Sequence, residues 1–492
     1  MCKTKIAFRI DMTNLLVTLR VEFHKILQQH LGHPPTPQQD EVLGMLSHFV
    51  ERLDSQSCFI LKGYAGTGKT TIISALTRSL SHIRKKSVLL APTGRAAKVM
   101  SAYSQKTAFT IHKKIYRKKN AATLDQNYVL ADNLHKDTLF IIDEASMISD
   151  ESLSFFSSGL LHDLLHYVKS GQRCSLLFVG DSAQLPPVGL LESPALNKEY
   201  LSNKYNINSE LYELTDVIRQ DKQSGILFNA TRIRQKIRLE NTDQHYAFPK
   251  LSIQNFPDVF RMNGDRLIEG LHYGYDTFGM EETIVICRSN KSANLYNKHI
   301  RHQILFREEE ITGGDLIMVV RNNYYWQQAD NPENTGFIAN GDMATVRKVS
   351  HIHEEHGFRF ADLTLEFQEP DNPVLTCRVI LDSLHSESAN LSQEDFTKLY
   401  ESILLDYEHI PLKKDRFAAL KQDPYYNALQ IKFAYAITCH KAQGGQWPAV
   451  FIDQGYLNDE RLNTEFMRWL YTGITRATKQ LFFVNFNEKF YQ

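Results

Sequence analysis

The stretch Gly63-Tyr64-Ala65-Gly66-Thr67-Gly68-Lys69-Thr70 constrains this chain more than any other. Ser57-Cys58-Phe59-Ile60-Leu61-Lys62 before it reads as a short apolar strand, and Thr71 to Thr77 after it as a helix, so the stretch is a turn from strand into helix. The first N–H groups of a helix have no partner within it, and glycines let a loop wrap a phosphate with such groups pointing inward. Gly63, Ala65, Gly66, Thr67 and Gly68 form that loop, Lys69 reaches the β and γ phosphates, the Thr70 hydroxyl suits Mg²⁺, and Thr71 follows in the first helical turn. At average glycine usage this pattern arises by accident in about one or two chains in a hundred of this length. A plain glycine-rich turn is the poorer reading, and the chain is expected to bind a nucleotide.

At 492 residues the chain exceeds one hydrophobic core and predicts roughly three or four folding units. Lys+Arg and Asp+Glu each number 56, so binding to a polyanion must come from a local basic surface, such as a channel. The six cysteines lie far apart, with no Cys-x-x-Cys pair and no histidine spaced for zinc. They read as small apolar core residues in a reducing compartment. With no membrane-length apolar run and no secretory leader pattern, the expected location is the cytoplasm, without membrane partners. Met12 reads as an alternative start, because a helical pattern opens there.

Leu15 to Leu31 has helical spacing and ends at Gly32 and Pro34-Pro35; Thr36-Pro37-Gln38-Gln39 opens a second helix with Thr36 as its cap. Ser87 to Ala91 is a buried strand followed by Pro92-Thr93-Gly94-Arg95-Ala96-Ala97-Lys98, a turn into a helix whose start suits a phosphodiester. Leu139 to Ile142 is a strand ending in Asp143-Glu144; after a phosphate-binding loop, Asp143 suits a hydrated Mg²⁺ and Glu144 suits orienting and deprotonating water. Ser175 to Gly180 is another strand, leading through Asp181 to Gln184, placed to report the γ-phosphate. Strand–helix alternation predicts an α/β protein with doubly wound parallel sheets. A second α/β set follows, with strands at 282–287, 432–437, 449–452 and 480–484, and helices at 224–237, 290–301 and 461–475. Between them, residues 340–424 alternate as short strands and read as a small β-rich, barrel-like insertion with one helix near 392–405.

In order, these motifs resemble those of superfamily 1 helicases, most closely the RecD-like branch, whose members move 5′ to 3′ on DNA. Residues 63–70, 91–98, 143–146, 180–188, Arg219-Gln220, Thr438 to Gly444 and Tyr471 to Ala477 carry the resemblance. It implies two RecA-like domains with ATP in the cleft between them and an SH3-like insertion. Arg219 and Arg476 are then arginine fingers, Gln39 contacts adenine, Gln184 couples the γ-phosphate to DNA, and Gly444 and Gln446 border the nucleotide. The family carries a Glu or similar group where this chain has Gln446. Thr93, Arg95, Lys98, His112, Thr438, His440 and Lys441 fall where the family touches single-stranded DNA. Residues 113–137 fall where relatives carry a β-hairpin pin that splits the duplex, and here the segment is short.

The expected division is a helical segment at 1–35, a first RecA-like domain at 36–212, a second at 213–339 and 425–492, and the insertion at 340–424. The expected activity is ATP-dependent separation of DNA strands, with Mg²⁺ as cofactor, DNA with a single-stranded tail as partner, and repair or recombination proteins as associates. Two alternatives stay open: an RNA helicase of the same superfamily, and an ATP-dependent clamp on single strands that does not unwind.

Overall fold

The computed structural model describes residues 21–118, 128–151, 159–216, 224–239, 247–323, 325–326, 338–368, 374–457 and 462–491. Contacts divide the chain into two units, one over Met1–Pro92, Ala96–Ile115 and Leu130–Gln220, the other over Thr93–Arg95, Tyr116–Val129 and Asp221–Gln492.

In the first unit, helix α1 (21–31) buries Phe23, Leu27 and Leu31 in the same core as Val42, Leu43 and Leu46 of α2 (Pro37–Glu51). Each of those three side chains contributes about 1.5–3 kcal/mol by leaving water, so α1 is part of this unit rather than a separate segment. The strands up to residue 214 are, in chain order, β1 (Ser57–Gly63), β2 (Lys86–Ala91), β3 (Ala108–Thr110), β4 (Tyr116–Lys118), β5 (Tyr128–Leu130), β6 (Lys136–Ile142), β7 (Gln172–Gly180) and β8 (Asn208–Leu214), of which β4 and all of β5 but Leu130 group with the second unit. Six of them form one sheet in the order β3-β2-β6-β7-β1-β8, every neighbouring pair parallel. The runs Phe59-Ile60-Leu61 and Phe140-Ile141-Ile142 are fully buried, as expected for parallel strands covered on both faces. Helices α3 (Lys69–Ser79) and α4 (Gly94–Ser104) follow β1 and β2. Strand β8 pairs with β1 from Ser57↔Asn208 to Gly63↔Leu214, so the first sheet extends beyond residue 212. Strands β4 and β5 form a two-stranded sheet of their own within the 113–137 segment.

The second unit holds a five-stranded sheet in the order β16-β10-β17-β18-β9 and a closed barrel of β11 to β15. Its strands are β9 (Val259–Met262), β10 (Thr283–Cys287), β11 (Leu316–Val319), β12 (Met343–Glu355), β13 (Phe358–Phe367), β14 (Leu375–Ile380), β15 (Leu429–Phe433), β16 (Ala436–Thr438), β17 (Trp447–Asp453) and β18 (Ala477–Val484). The pairs in this sheet are parallel; those in the barrel are antiparallel except β14 with β15. The barrel therefore takes its first strand from before residue 340 and its last from after 424. The stretch 432–437, which reads as one strand, is two: β15 closes the barrel and β16 edges the sheet, with Ala434-Tyr435 between. Both pieces are buried, and no charged or turn residue follows Lys432 in the run, so periodicity cannot separate them. A second helix, Lys413–Gln422, joins the expected one (Gln393–Asp406) against the barrel residues Phe358 and Phe360.

The junction of barrel and sheet is held by Asp315, which is fully buried. Its carboxylate accepts from Arg301 Nε and Nη2 (both 3.0 Å), Arg307 Nη1 (2.6 Å), Thr312 N (2.8 Å) and the Tyr435 phenol (2.8 Å). Removing one partner of such a group strands buried charge. Asp315→Ala is therefore expected to cost about 3–5 kcal/mol and Tyr435→Phe about 1 kcal/mol, read as earlier urea unfolding of the second unit. An Asp315→Ala protein as stable as the parent contradicts this account.

Candidate functional site

The turn after β1 is built for a phosphate. Gly66 (φ 79°) and Gly68 (φ 87°) have left-handed backbone, which side chains with a Cβ seldom adopt. A Cβ on Gly63 would lie 2.9 Å from Thr67 Oγ1 and 3.1 Å from Lys69 Cγ, so only glycine closes the loop this tightly. Thr67 Oγ1 donates to Tyr64 O (2.9 Å), and Lys69 Nζ donates to Gly63 O (2.6 Å) and Tyr64 O (2.9 Å). The ammonium thus lies across the loop it is expected to serve. Ala65 and Thr71 are half-buried, and Thr70 opens α3 with an exposed side chain.

Asp143 and Glu144 leave the end of β6, two strands from β1 in the sheet order. At about 4.8 Å per strand, that separation is about 10 Å, enough for a hydrated cation between Thr70 and Asp143. Asp143 Oδ1 accepts from Glu144 N (2.9 Å) and Oδ2 from the Tyr103 phenol (2.7 Å). Burial, followed by the charge of Asp143, pushes the Tyr103 hydroxyl well above its usual range, so it is the donor. Glu144 has φ 51°, a left-handed backbone that sharply turns the chain out of the strand. Gly180 at the end of β7 packs tightly: a Cβ there would lie 2.7 Å from Leu196 Cδ1 and 3.1 Å from Ser146 N. Asp181 then accepts from Ala183 N (2.9 Å), forming the turn that carries Gln184.

Two buried amides test whether these residues fit a nucleotide. Thr36 Oγ1 accepts from Gln39 N (3.2 Å), and Gln39 Oε1 accepts from Thr36 N (3.1 Å), a reciprocal cap at the start of α2. Gln39 is fully buried, yet its Nε2 has no protein partner; Gln184 Oε1 is likewise buried and unpartnered. A buried amide without a hydrogen bond costs about 1–3 kcal/mol, so each is suited to a ligand. With the glycine loop, Lys69 and the Asp143-Glu144 pair, the donor set fits a nucleoside triphosphate and a hydrated divalent cation.

Among the second unit's expected residues, Arg476 is almost fully buried and donates to Thr472 O (3.1 Å), Gly445 O (3.2 Å) and Thr475 Oγ1 (3.2 Å). Gly444 has φ 73° and Gln446 is exposed. Thr438, His440 and Lys441 lie together at the end of β16 and in the short helix Cys439–Ala442. Burial lowers the His440 pKa, while Glu465 works against that shift. Burial, then the neighbouring Lys432, pushes Lys441 down to about 8; Lys432 is also brought to about 8 by burial. Lys432 Nζ donates to Ser386 O and Lys441 Nζ to Ala389 O (3.4 Å), and neither is in an ion pair among the described residues. Two close ammonium groups without a carboxylate favour an anion.

Thr93 is half-buried and precedes α4; Lys98 lies on that helix with an exposed side chain. Burial takes His112 down to about 4, so it is a neutral ring at working pH. The contacts group Arg95 with the second unit, where it lies 4.0 Å over the Trp447 ring and donates to Gln446 O (3.0 Å). Arg219 lies outside the described residues. Sequence reasoning missed Tyr103, because an aromatic at helical spacing reads as core. It also missed Lys432, although a lysine inside the apolar strand Leu429–Phe433 was a usable signal. The five described cysteines are all buried and free, as expected, and among the described residues no His, Cys, Asp and Glu group could hold a metal by itself. Among those residues, too, no helix is long and apolar enough to cross a membrane.

Residues 46–245 match the family model for an AAA domain, and residues 433–484 that for a UvrD-like helicase C-terminal domain. The chain is 24% identical over 524 aligned positions to an uncharacterized protein of Acanthamoeba polyphaga mimivirus, covering 91% of this chain and 99% of that one. It is 25% identical over 447 positions to the ATP-dependent DNA helicase dda of Enterobacteria phage T4, covering 86% and 93% respectively. Among solved structures, a Pif1 helicase from Bacteroides in complex with ADP-AlF3 and ssDNA aligns over 93% of this chain and 94% of that chain, at 14% identity and a TM-score of 0.43.

The unpartnered amide yields a separable test. Gln39→Ala removes both the cap and the free Nε2, whereas Thr36→Ala weakens the cap and leaves Nε2 in place. Each should lose about 1 kcal/mol of stability, but only Gln39→Ala should weaken ATP binding, by about tenfold in a fluorescent-nucleotide titration. Equal ATP affinity in the two variants would remove Gln39 from the base site.

Proposed function

We propose that this chain is a superfamily 1 helicase of the RecD-like branch, an ATP-dependent DNA helicase that moves 5′ to 3′ along single-stranded DNA and separates duplex strands; the matches to an AAA domain and to a UvrD-like helicase C-terminal domain support the reading. The observation that carries the reading is the joint presence, at one edge of a parallel sheet, of the phosphate loop of Gly63 to Thr70, the Asp143-Glu144 strand end and the Gln184 turn.

In this mechanism Lys69 gives up its two carbonyl acceptors and turns to the β and γ phosphates, where its charge offsets the charge that builds up during phosphoryl transfer. Glu144 aligns and deprotonates the attacking water, and Gln184 senses whether the γ-phosphate is present. Arg219 and Arg476 act as the arginine fingers. Thr70 and Asp143 would hold a hydrated Mg²⁺, which would supply positive charge to the triphosphate. Thr93, Lys98, His112, Thr438, His440 and Lys441 bind phosphates and sugars, which positions any sequence without reading it. The β4–β5 strand pair is the pin. The partners are DNA with a single-stranded tail and proteins of repair or recombination, in the cytoplasm.

The reading is tested by strand displacement on one duplex bearing a 5′ tail, a 3′ tail or an RNA loading strand, with and without ATP and Mg²⁺. Unwinding from the 5′ DNA tail alone is expected. Preference for the RNA strand would make the protein an RNA helicase, and hydrolysis without displacement would make it a translocase or clamp. Lys69→Ala should abolish hydrolysis, while Glu144→Gln should bind ATP and turn it over at least about a hundredfold more slowly. Replacing His440 and Lys441 with Ala should weaken single-stranded DNA binding at low salt and leave ATP affinity unchanged.

A further inference from the structure

Asp143 is held from two sides. Its own neighbour's N–H takes Oδ1 (Glu144 N, 2.9 Å), and the Tyr103 phenol takes Oδ2 (2.7 Å). Tyr103 is the penultimate residue of α4, and its main-chain carbonyl accepts from Ser74 Oγ (3.1 Å). Ser74 lies in α3, the helix that begins at Lys69-Thr70. One residue therefore bonds, through its side chain, the strand end that carries Asp143 and, through its backbone, the helix that carries Thr70. These elements are far apart in sequence but belong to one unit.

A phenol donating to a carboxylate is a charge-assisted bond, stronger and more directional than a neutral one. An ionised carboxylate has about four lone-pair sites. With one on each oxygen taken by Glu144 N and Tyr103, about one on each remains for the water shell of a cation, and the plane of the carboxylate is set by the two donors. We propose that Tyr103 is a positioning residue of the nucleotide site, fixing the orientation of Asp143 and its distance from Thr70 and so setting the affinity of the site for hydrated Mg²⁺. The inference rests on the reading of Gly63 to Thr70 as a nucleotide site. Tyr103 does not touch the phosphates in this scheme and acts through Asp143. Its ring also packs against the core of the first unit, a role that phenylalanine keeps.

Tyr103→Phe therefore isolates the hydroxyl. In the full-length protein, binding of a fluorescent ADP analogue is titrated with Mg²⁺, and again in EDTA; Mn²⁺ binding is followed in parallel by electron paramagnetic resonance. The Mg²⁺ and Mn²⁺ concentrations for half-saturation are expected to rise about tenfold, as for other partners of metal-holding groups. Nucleotide affinity in EDTA should stay at the parent value, and the melting temperature should fall only by the few degrees that one charge-assisted hydrogen bond supplies. Ser74→Ala, which loosens only the backbone brace, should shift the metal titration in the same direction by a smaller factor.

Unchanged metal titrations in Tyr103→Phe would overturn the proposal while leaving the nucleotide site intact. If Tyr103→Phe proves unfolded, the same titration of Ser74→Ala decides, and an unchanged midpoint there likewise overturns it. Failure of the site reading itself looks different: the parent would bind the nucleotide equally with and without Mg²⁺, and Lys69→Ala would keep its turnover.

Discussion

Parallel alignment of the first sheet is the constraint on which the rest depends. When all six strands run the same way, every carboxyl end opens onto one edge, and the loops leaving Gly63, Ile142 and Gly180 converge there without any one of them being close in sequence to another. The glycine loop, Asp143-Glu144 and the Gln184 turn are those loops. Close packing then fixes their spacing, since Gly180 lets Leu196 and the Ser146 backbone come within distances that a Cβ would forbid. Ser193 adds a lock by sharing its one hydroxyl proton between Ala145 O (2.7 Å) and Ile148 O (2.8 Å), which holds the chain just after Glu144.

The second unit handles charge in two opposite ways. Around Asp315, two arginines, a phenol and a backbone N–H surround a fully buried carboxylate, and the cluster holds the barrel against the sheet. Around Lys432 and Lys441, two ammonium groups donate to carbonyl oxygens and, among the described residues, form no ion pair. The first arrangement is complete as it stands, whereas the second is stabilised further by an anion. A chain with equal numbers of acidic and basic residues can thus hold locally uncompensated positive charge, because net charge says nothing about where charges are compensated.

Legibility followed locality. The strand before Gly63, the helix after it, the Thr36 cap and the Asp143-Glu144 strand end are written in adjacent residues, and each reading needs only a few positions. The break of 432–437 into β15 and β16 was not legible, because after Lys432 the run Phe433-Ala434-Tyr435-Ala436-Ile437 carries no charged or turn residue and only pairing partners tell barrel from sheet. The same limit hid β8 in the first sheet and β11 in the barrel. Gln39 shows a mixed case. Its motif position pointed to adenine, and the structure adds a cap: the folded side chain caps with Oε1 and leaves Nε2 unpartnered, so the two uses are compatible.

By itself the sequence determined which residue types stand in which order: a glycine-rich turn of phosphate-loop pattern, a carboxylate pair, arginines and histidines, on an α/β scaffold. Those are properties of residue type and short spacing, which survive without knowledge of what touches what. Tertiary structure alone decided which groups restrain the chemistry. Tyr103 on Asp143, Ser74 on Tyr103 and Lys432 beside Lys441 join residues whose separations in the chain carry no pattern. Hydrogen bonds reach only about 3 Å, so such partnerships exist only once the sheet has brought its strand ends together.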